Sequence, residues 1–184
     1  MKRAIVAPPS LAPAALSELK AWLGITTGRD DAELTALLMA ALDLCEGFTG
    51  TMPLQAGCEE VLAAAGDWQT LGTRPIQAMT GAARIALTGQ RTALLPGDYE
   101  FDIGADGNGR FRLKVPVAET RIAVTFTAGL AATWSALPDP LRHGIMRLAA
   151  HEHRQRDAQN TSQRLAPPAA VAALWRPWRS MRLA

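Results

Sequence analysis

The sequence predicts an α+β protein: a small helical bundle with an inserted antiparallel β-sheet subdomain and an extended C-terminal tail. Three observations predict it. Apolar side chains recur at helical spacing in residues 14–50 and again in 138–157. That period vanishes between residues 58 and 129, where short apolar or alternating runs are separated by turn residues. Finally, the last stretch, "LWRPWRSMRLA", holds two of the five tryptophans and three arginines with no acid among them. The chain divides into an extended N-terminal arm (1–13), a helical core (14–57 and 130–157), an inserted β subdomain (58–129), and a linker with a docking tail (158–184).

Residues 1–13 are rich in proline and alanine, which favours an extended path. "PAALSELKAWLGI" then sets Leu16, Leu19, Trp22 and Leu23 on one helix, ended by Gly24. A second helix follows in "GRDDAELTALLMAALDLCEGFTG", with Asp30 or Asp31 expected to cap it. Its apolar stripe is Leu34, Leu37, Leu38, Ala41, Cys45 and Phe48, and Gly47, Thr49, Gly50 and Pro53 bring it to a stop. "CEEVLAA", "ARIALT", "YEFDI", "RFRLKV" and "RIAVTFTAG" read as strands, and the Gly/Asn/Asp run "GADGNG" as a hairpin loop. After "LPDP" a third helix is expected, capped by Asp139, with Pro140 in its first turn and Leu141, Ile145 and Leu148 facing a core. "AQNTSQRLAPPA" is a linker, and Pro168 can open a short helical piece, "AAVAALW", before Pro177.

An apolar fraction of 48% argues against wholesale disorder. The net charge of +2 is small but unevenly spread. Eight acids and one base lie between Arg29 and Asp67, whereas three acids and eight arginines lie between Asp139 and Ala184. Such a layout fits either solvated helix faces of different sign or an acidic part that meets the basic part of a neighbouring copy. Cys45 and Cys58 form no CxxC pair, as expected of reduced thiols in a cytoplasmic setting. The opening has no long apolar run before Pro8, and no stretch approaches the roughly 18 apolar residues of a membrane span, so neither a signal peptide nor a membrane partner is expected.

Motifs for chemistry fail on spacing. "HEHR" sets His151 and His153 two residues apart, pointing roughly 200° apart around a helix. A zinc helix needs its two histidines four positions apart. His143 is about 12 Å further along the axis. "DIGADGNGRF" lacks the carboxylates of a calcium loop, with Gly104 at its third position and Leu113 at its twelfth. No nucleophile elbow or phosphate loop occurs. Hence no catalytic residue, no metal site and no cofactor is expected, and the chain is read as not an enzyme.

The tail has three readings. It can fold back on its own domain. It can grip nucleic acid through its arginines and aromatics, making the chain a small nucleic-acid-binding protein, but three arginines give a weak, salt-sensitive hold. The third reading, a socket on another protein, fits best, since Trp and Arg are enriched at interface hot spots. Burying one tryptophan removes about 150–250 Å² from water, worth at most roughly 4–6 kcal/mol before the costs of association.

In order, these features resemble the head–tail connector (adaptor) proteins of long-tailed bacteriophages and phage-like gene transfer agents. The resemblance rests on "LSELKAWLGI" with "DDAELTALLMAALDLCEGFTG", on "RPIQAMTGA" leading to "LLPGDYEFD", on "RIAVTFTAGLAATWSALPDPLRHGIMRLAAHEHRQRD", and on "PPAAVAALWRPWRSMRL". Glu152 and His153 depart from the aromatic pair usual in that family, and Trp178 stands where a tyrosine is common, whereas Arg156 and Arg179 match recurring arginines. The resemblance implies a virion structural protein of the particle's neck, assembled in the bacterial cytoplasm. It implies a homo-oligomeric ring, usually of twelve copies, that joins the portal protein to the next neck or tail component, a stopper or tail terminator. DNA would pass through its channel, in packaging and ejection, without sequence-specific binding. It assigns Leu174, Trp175, Arg176, Trp178, Arg179, Met181, Arg182 and Leu183 to the portal contact, with the tail disordered until bound. Asp30, Asp31, Glu33, Asp43 and Glu46 become candidate lumen-facing or intersubunit acids.

Overall fold

The structure, a computed structural model, describes residues 3–155 and 167–179. Those residues form two units, one of strands (3–9 and 55–130) and one of helices (10–54, 131–155 and 167–179). The β unit is thus inserted between the second and third helices, and it also takes in the N-terminal residues.

The strand unit holds two antiparallel sheets. The larger contains β1 (Arg3–Ala7), β2 (Ala56–Ala63), β4 (Ile76–Ile85), β5 (Arg91–Ala93) and β8 (Arg121–Ala128), ordered β1-β2-β8-β4-β5. β8 is central and apolar, with Ile122, Ala123, Val124, Phe126 and Ala128 all buried, as expected of a strand flanked on both sides. The smaller sheet has the order β3-β7-β6, from β3 (Gln69–Thr70), β7 (Gly109–Leu113) and β6 (Tyr99–Ile103). β6 and β7 form the hairpin expected around "GADGNG", with Phe101 opposite Phe111 and Asp102 opposite Arg110. Gly107 turns that loop at φ +75°, and a Cβ there would stand 2.6 Å from Cβ of Pro75, so both conformation and space require glycine. The Asp106 carboxylate accepts the Asn108 amide at 3.1 Å, which holds its carboxyl below the ordinary range. This is turn chemistry, as the hairpin reading requires.

Two buried carboxylates tie the strand unit together. Glu60 on β2 accepts hydrogen bonds from the amides of Gly72 (2.9 Å) and Thr73 (2.8 Å) and from the Thr73 hydroxyl (2.6 Å). Glu59 receives both arms of the Arg91 guanidinium, reaching from β5.

In the helical unit, α1 (Pro13–Leu23) ends on Gly24 at φ 72°, whose amide donates to the Ala21 carbonyl. α2 (Asp31–Thr49) buries Leu34, Leu38, Ala41, Leu42 and Cys45, and Gly50 closes it at φ 71°. α3 (Asp139–Gln155) buries Leu141, Ile145 and Leu148, joined by Gly144, Met146, Ala149 and Ala150. α4 (Ala169–Trp175) follows Pro168, and a single 3-10 turn, Arg176–Trp178, continues it. Trp134, in a 3-10 turn before α3, is buried and donates its indole N–H to Glu18 at 2.8 Å.

At four places the structure sharpens or corrects the sequence expectation. Residues 3–7 of the N-terminal arm are extended but paired, as the edge strand β1 on β2. Asp30 is the N-cap residue of α2, as expected, but no side-chain hydrogen bond caps the helix: the Asp30 carbonyl accepts the Leu34 amide, and Asp31 holds Lys20 at 2.6 Å. Asp139 is the first residue of α3 and bonds Arg142 at 2.8 Å, while the Pro138 carbonyl accepts the Leu141 and Arg142 amides. In the tail, the short helical piece expected after Pro168 is present as α4 and its 3-10 continuation, and it is packed, not disordered, through residues 169–178.

Candidate functional site

The C-terminal segment is built around a notch in α3. Gly144 faces α4, and a Cβ on it would stand 2.1 Å from Nε1 of Trp175. The missing side chain therefore admits the indole. Trp175 is fully buried there. Its Nε1–H donates to the Leu141 carbonyl at 3.4 Å, and its ring lies 6.0 Å from that of Phe48 on α2. A seven-residue helix is too short to persist alone in water, so this burial, with that of Val171, holds α4 in place. Trp175, assigned from the resemblance to the portal contact, is a core anchor of its own subunit.

The neighbouring tail residues face outward. Arg176 and Arg179 are exposed, Trp178 and Leu174 are half-buried, and no acid lies in the segment. The Arg179 guanidinium sits 5.6 Å from the Phe48 ring centroid, a cation–π contact that orients it without neutralising it. Two exposed cations thus flank a half-buried indole in sequence, on a segment fixed from beneath by Trp175. Met181, Arg182 and Leu183 lie outside the described residues, as does Arg156.

Leu174 also lines a cleft of about 480 Å³ with Glu18, Trp22, Arg142, His143 and Met146. Trp22 is 46% exposed and meets His143 edge-on, with ring centroids 5.4 Å apart. Sequence reasoning placed Trp22 on the inward stripe of α1 and missed this pairing. Ala15 and Leu19, one turn apart, hold the buried positions of α1, and Leu23 is only half-buried, which leaves Trp22 at the stripe's margin.

The acids on α2 do not form one cluster with one role. Glu33 and Asp43 are exposed, Asp30, Asp31 and Glu46 are half-buried, and Asp31 is paired with Lys20 within its own chain. Among the described residues no group of three His, Cys, Asp or Glu side chains can hold a metal ion. No described helix is long and apolar enough to cross a membrane. Cys45 and Cys58 are both buried free thiols.

No protein-family model matches the chain, and no curated protein matches it significantly. Solved structures do. One chain from the neck of an empty gene transfer agent particle, computed with C6 symmetry, superposes with a TM-score of 0.78 at 28% identity, covering 100% of this chain and 98% of that one. A chain from the virion of a native gene transfer agent particle gives 0.74 at 26%, with the same coverage. A third, from the neck of a native particle computed with C12 symmetry, gives 0.73 at 26% over 98% of this chain and 97% of that one. The resemblance read from the sequence and the α+β class are borne out by these likenesses.

Proposed function

We propose that this chain, which shares its whole fold with neck chains of gene transfer agent particles, is a head–tail connector. It is a structural protein of the neck of a phage-like particle. In this reading, copies assemble into a ring of about a dozen, continuous with the DNA channel, and join the portal on one side to the next neck or tail component on the other. The observation that carries the reading is the end-to-end likeness to those neck chains, with almost no residue of either chain left over.

The C-terminal segment supplies the portal contact. Arg176, Trp178 and Arg179 form its outward surface, and Leu174 borders it. Trp175 acts as a positioning residue, locking the segment to α3 so that binding does not have to order the helix. Such preorganisation removes part of the entropic cost of docking, and repetition around a ring multiplies a modest grip per copy. The exposed acids Glu33 and Asp43 face the channel in this account and keep it from gripping the phosphate backbone.

Charge reversal tests the docking face. In particles carrying Arg176→Glu together with Arg179→Glu, filled heads without tails accumulate, while the purified variant keeps its helix content and melting temperature. Normal tail attachment by a stably folded double variant would refute the docking role of this face.

A further inference from the structure

The strand unit ends in two unlike open edges. One is β1, whose outer side has no strand on it among the described residues; Ala4 to Ala7 are exposed, with Ile5 at 44% and Val6 at 57%. The other is the first half of β4. β5 covers β4 only at Ala83, Arg84 and Ile85. Just before the open stretch, the Ile76 amide donates to the Gly107 carbonyl, and just after it the Ala82 carbonyl accepts the Leu94 amide. Between them Ala78, Met79 and Gly81 pair with β8, Gln77 and Thr80 bulge out of that register, and no other strand pairs with the stretch among the described residues; Gln77, Ala78 and Thr80 are exposed.

Open edges are hazards that proteins usually blunt with charge or proline. Neither Ala4–Ala7 nor Gln77–Gly81 contains a charged residue or a proline. The stretches are also matched in length: β1 has five residues, and the stretch from Gln77 to Gly81 that β5 leaves uncovered has five. A closed ring needs two different, complementary surfaces on each copy, because its contacts run head to tail. Two opposite edges of one sheet meet that need.

We propose that β1 of one copy adds as a strand to the Gln77–Gly81 edge of the next copy, so that the five-stranded sheets join into one continuous belt around the ring. The occupant of each edge is a second copy of this chain. Backbone hydrogen bonds supply the pairing, and Ile5 and Val6 lose their exposure against the neighbour. The inference rests on the ring reading above.

Two measurements on the full chain test it. Native mass spectrometry reads the assembly state of the chain alone and in purified particles. Val6→Lys and Thr80→Lys, each placing a charge on one edge, are expected to reduce ring formation at least tenfold, whereas Trp22→Ala in the helical unit leaves it unchanged. Because an edge lysine can also disturb β1 or β4 itself, the double substitution Val6→Cys with Thr80→Cys is mildly oxidised in assembled rings. A denaturing-gel ladder of disulfide-linked multimers is expected. Intact rings with no ladder, or intact rings in both lysine variants, overturn the edge pairing and leave the ring reading standing. If the unmodified chain forms no ring alone or in particles, the ring reading itself fails and takes this inference with it.

Discussion

Trp175 and Trp178 sit one turn apart in sequence and in opposite surroundings. Seen only as letters they are equivalent, two indoles in an arginine-rich tail. The difference is made by Gly144, on another helix, whose absent side chain leaves room for one ring and not the other. No local pattern encodes that, since a glycine inside α3 reads as a mild helix defect and not as half of a socket. Cys45 was easier to read: it falls on the inward stripe of α2 and is buried as that stripe requires. Desolvation, reinforced by the nearby Glu46, pushes its thiol up to about 12 from an ordinary 9.0. The folded state therefore keeps a proton that the unfolded state releases above pH 9, and its stability contribution, full below that pH, is lost as pH climbs towards 12. At pH 8 the native protein is expected to show a Cys45 reacting with an aromatic disulfide reagent at least a hundredfold slower than in denaturant. Equal rates in the two conditions would refute this burial.

The three long helices and the β6–β7 hairpin were legible as elements, because each carries a full period and its own terminating residues. Pro168 likewise announced α4. The strand β1 was not legible. Five residues with no alternation, followed by two prolines, look like an unpaired arm, and only the long-range partner β2 makes them a strand. The division of the strands into two sheets was equally hidden, since nothing in a short run states which neighbour it chooses. α4 has the reverse problem: its existence is local, but its position depends on tertiary packing, the burial of Val171 and above all of Trp175. That makes it removable by one methyl group. Gly144→Ala gains about 1 kcal/mol of helix propensity and forfeits the burial of Trp175, a loss of about 3–5 kcal/mol on the scale of large-to-small tryptophan changes. The variant is expected to melt with a net loss of about 2–4 kcal/mol, with a red-shifted tryptophan emission as α4 undocks. An unshifted spectrum and unchanged stability would mean that the notch does not hold the indole.

At the scale of the whole molecule, the order of the motifs carried the resemblance, and the neck chains of gene transfer agent particles share the fold over nearly their full length. The uneven charge was visible at once, yet its meaning depends on neighbours that a single chain does not display. Joining copies through backbone pairing and apolar side chains, with the α2 acids towards the channel, gives a definite salt response. Raising salt from about 0.1 M to 1 M shortens the screening length from about 10 Å to 3 Å. Assembled rings are expected to survive this rise, because strand pairing is not an ion-pair contact. Rings that fall apart in 1 M salt and re-form on dilution would assign the acids to a neighbour's arginines instead.

The central claim is that an anchored cationic and aromatic face at the C-terminus docks on a different protein. A density map of the assembled neck tests this most directly, at a resolution that defines side chains. The account predicts Trp175 still lodged against Gly144, with Arg176, Trp178 and Arg179 in contact with the portal. A map with those three side chains turned to open solvent, or packed only against their own subunit, would contradict it.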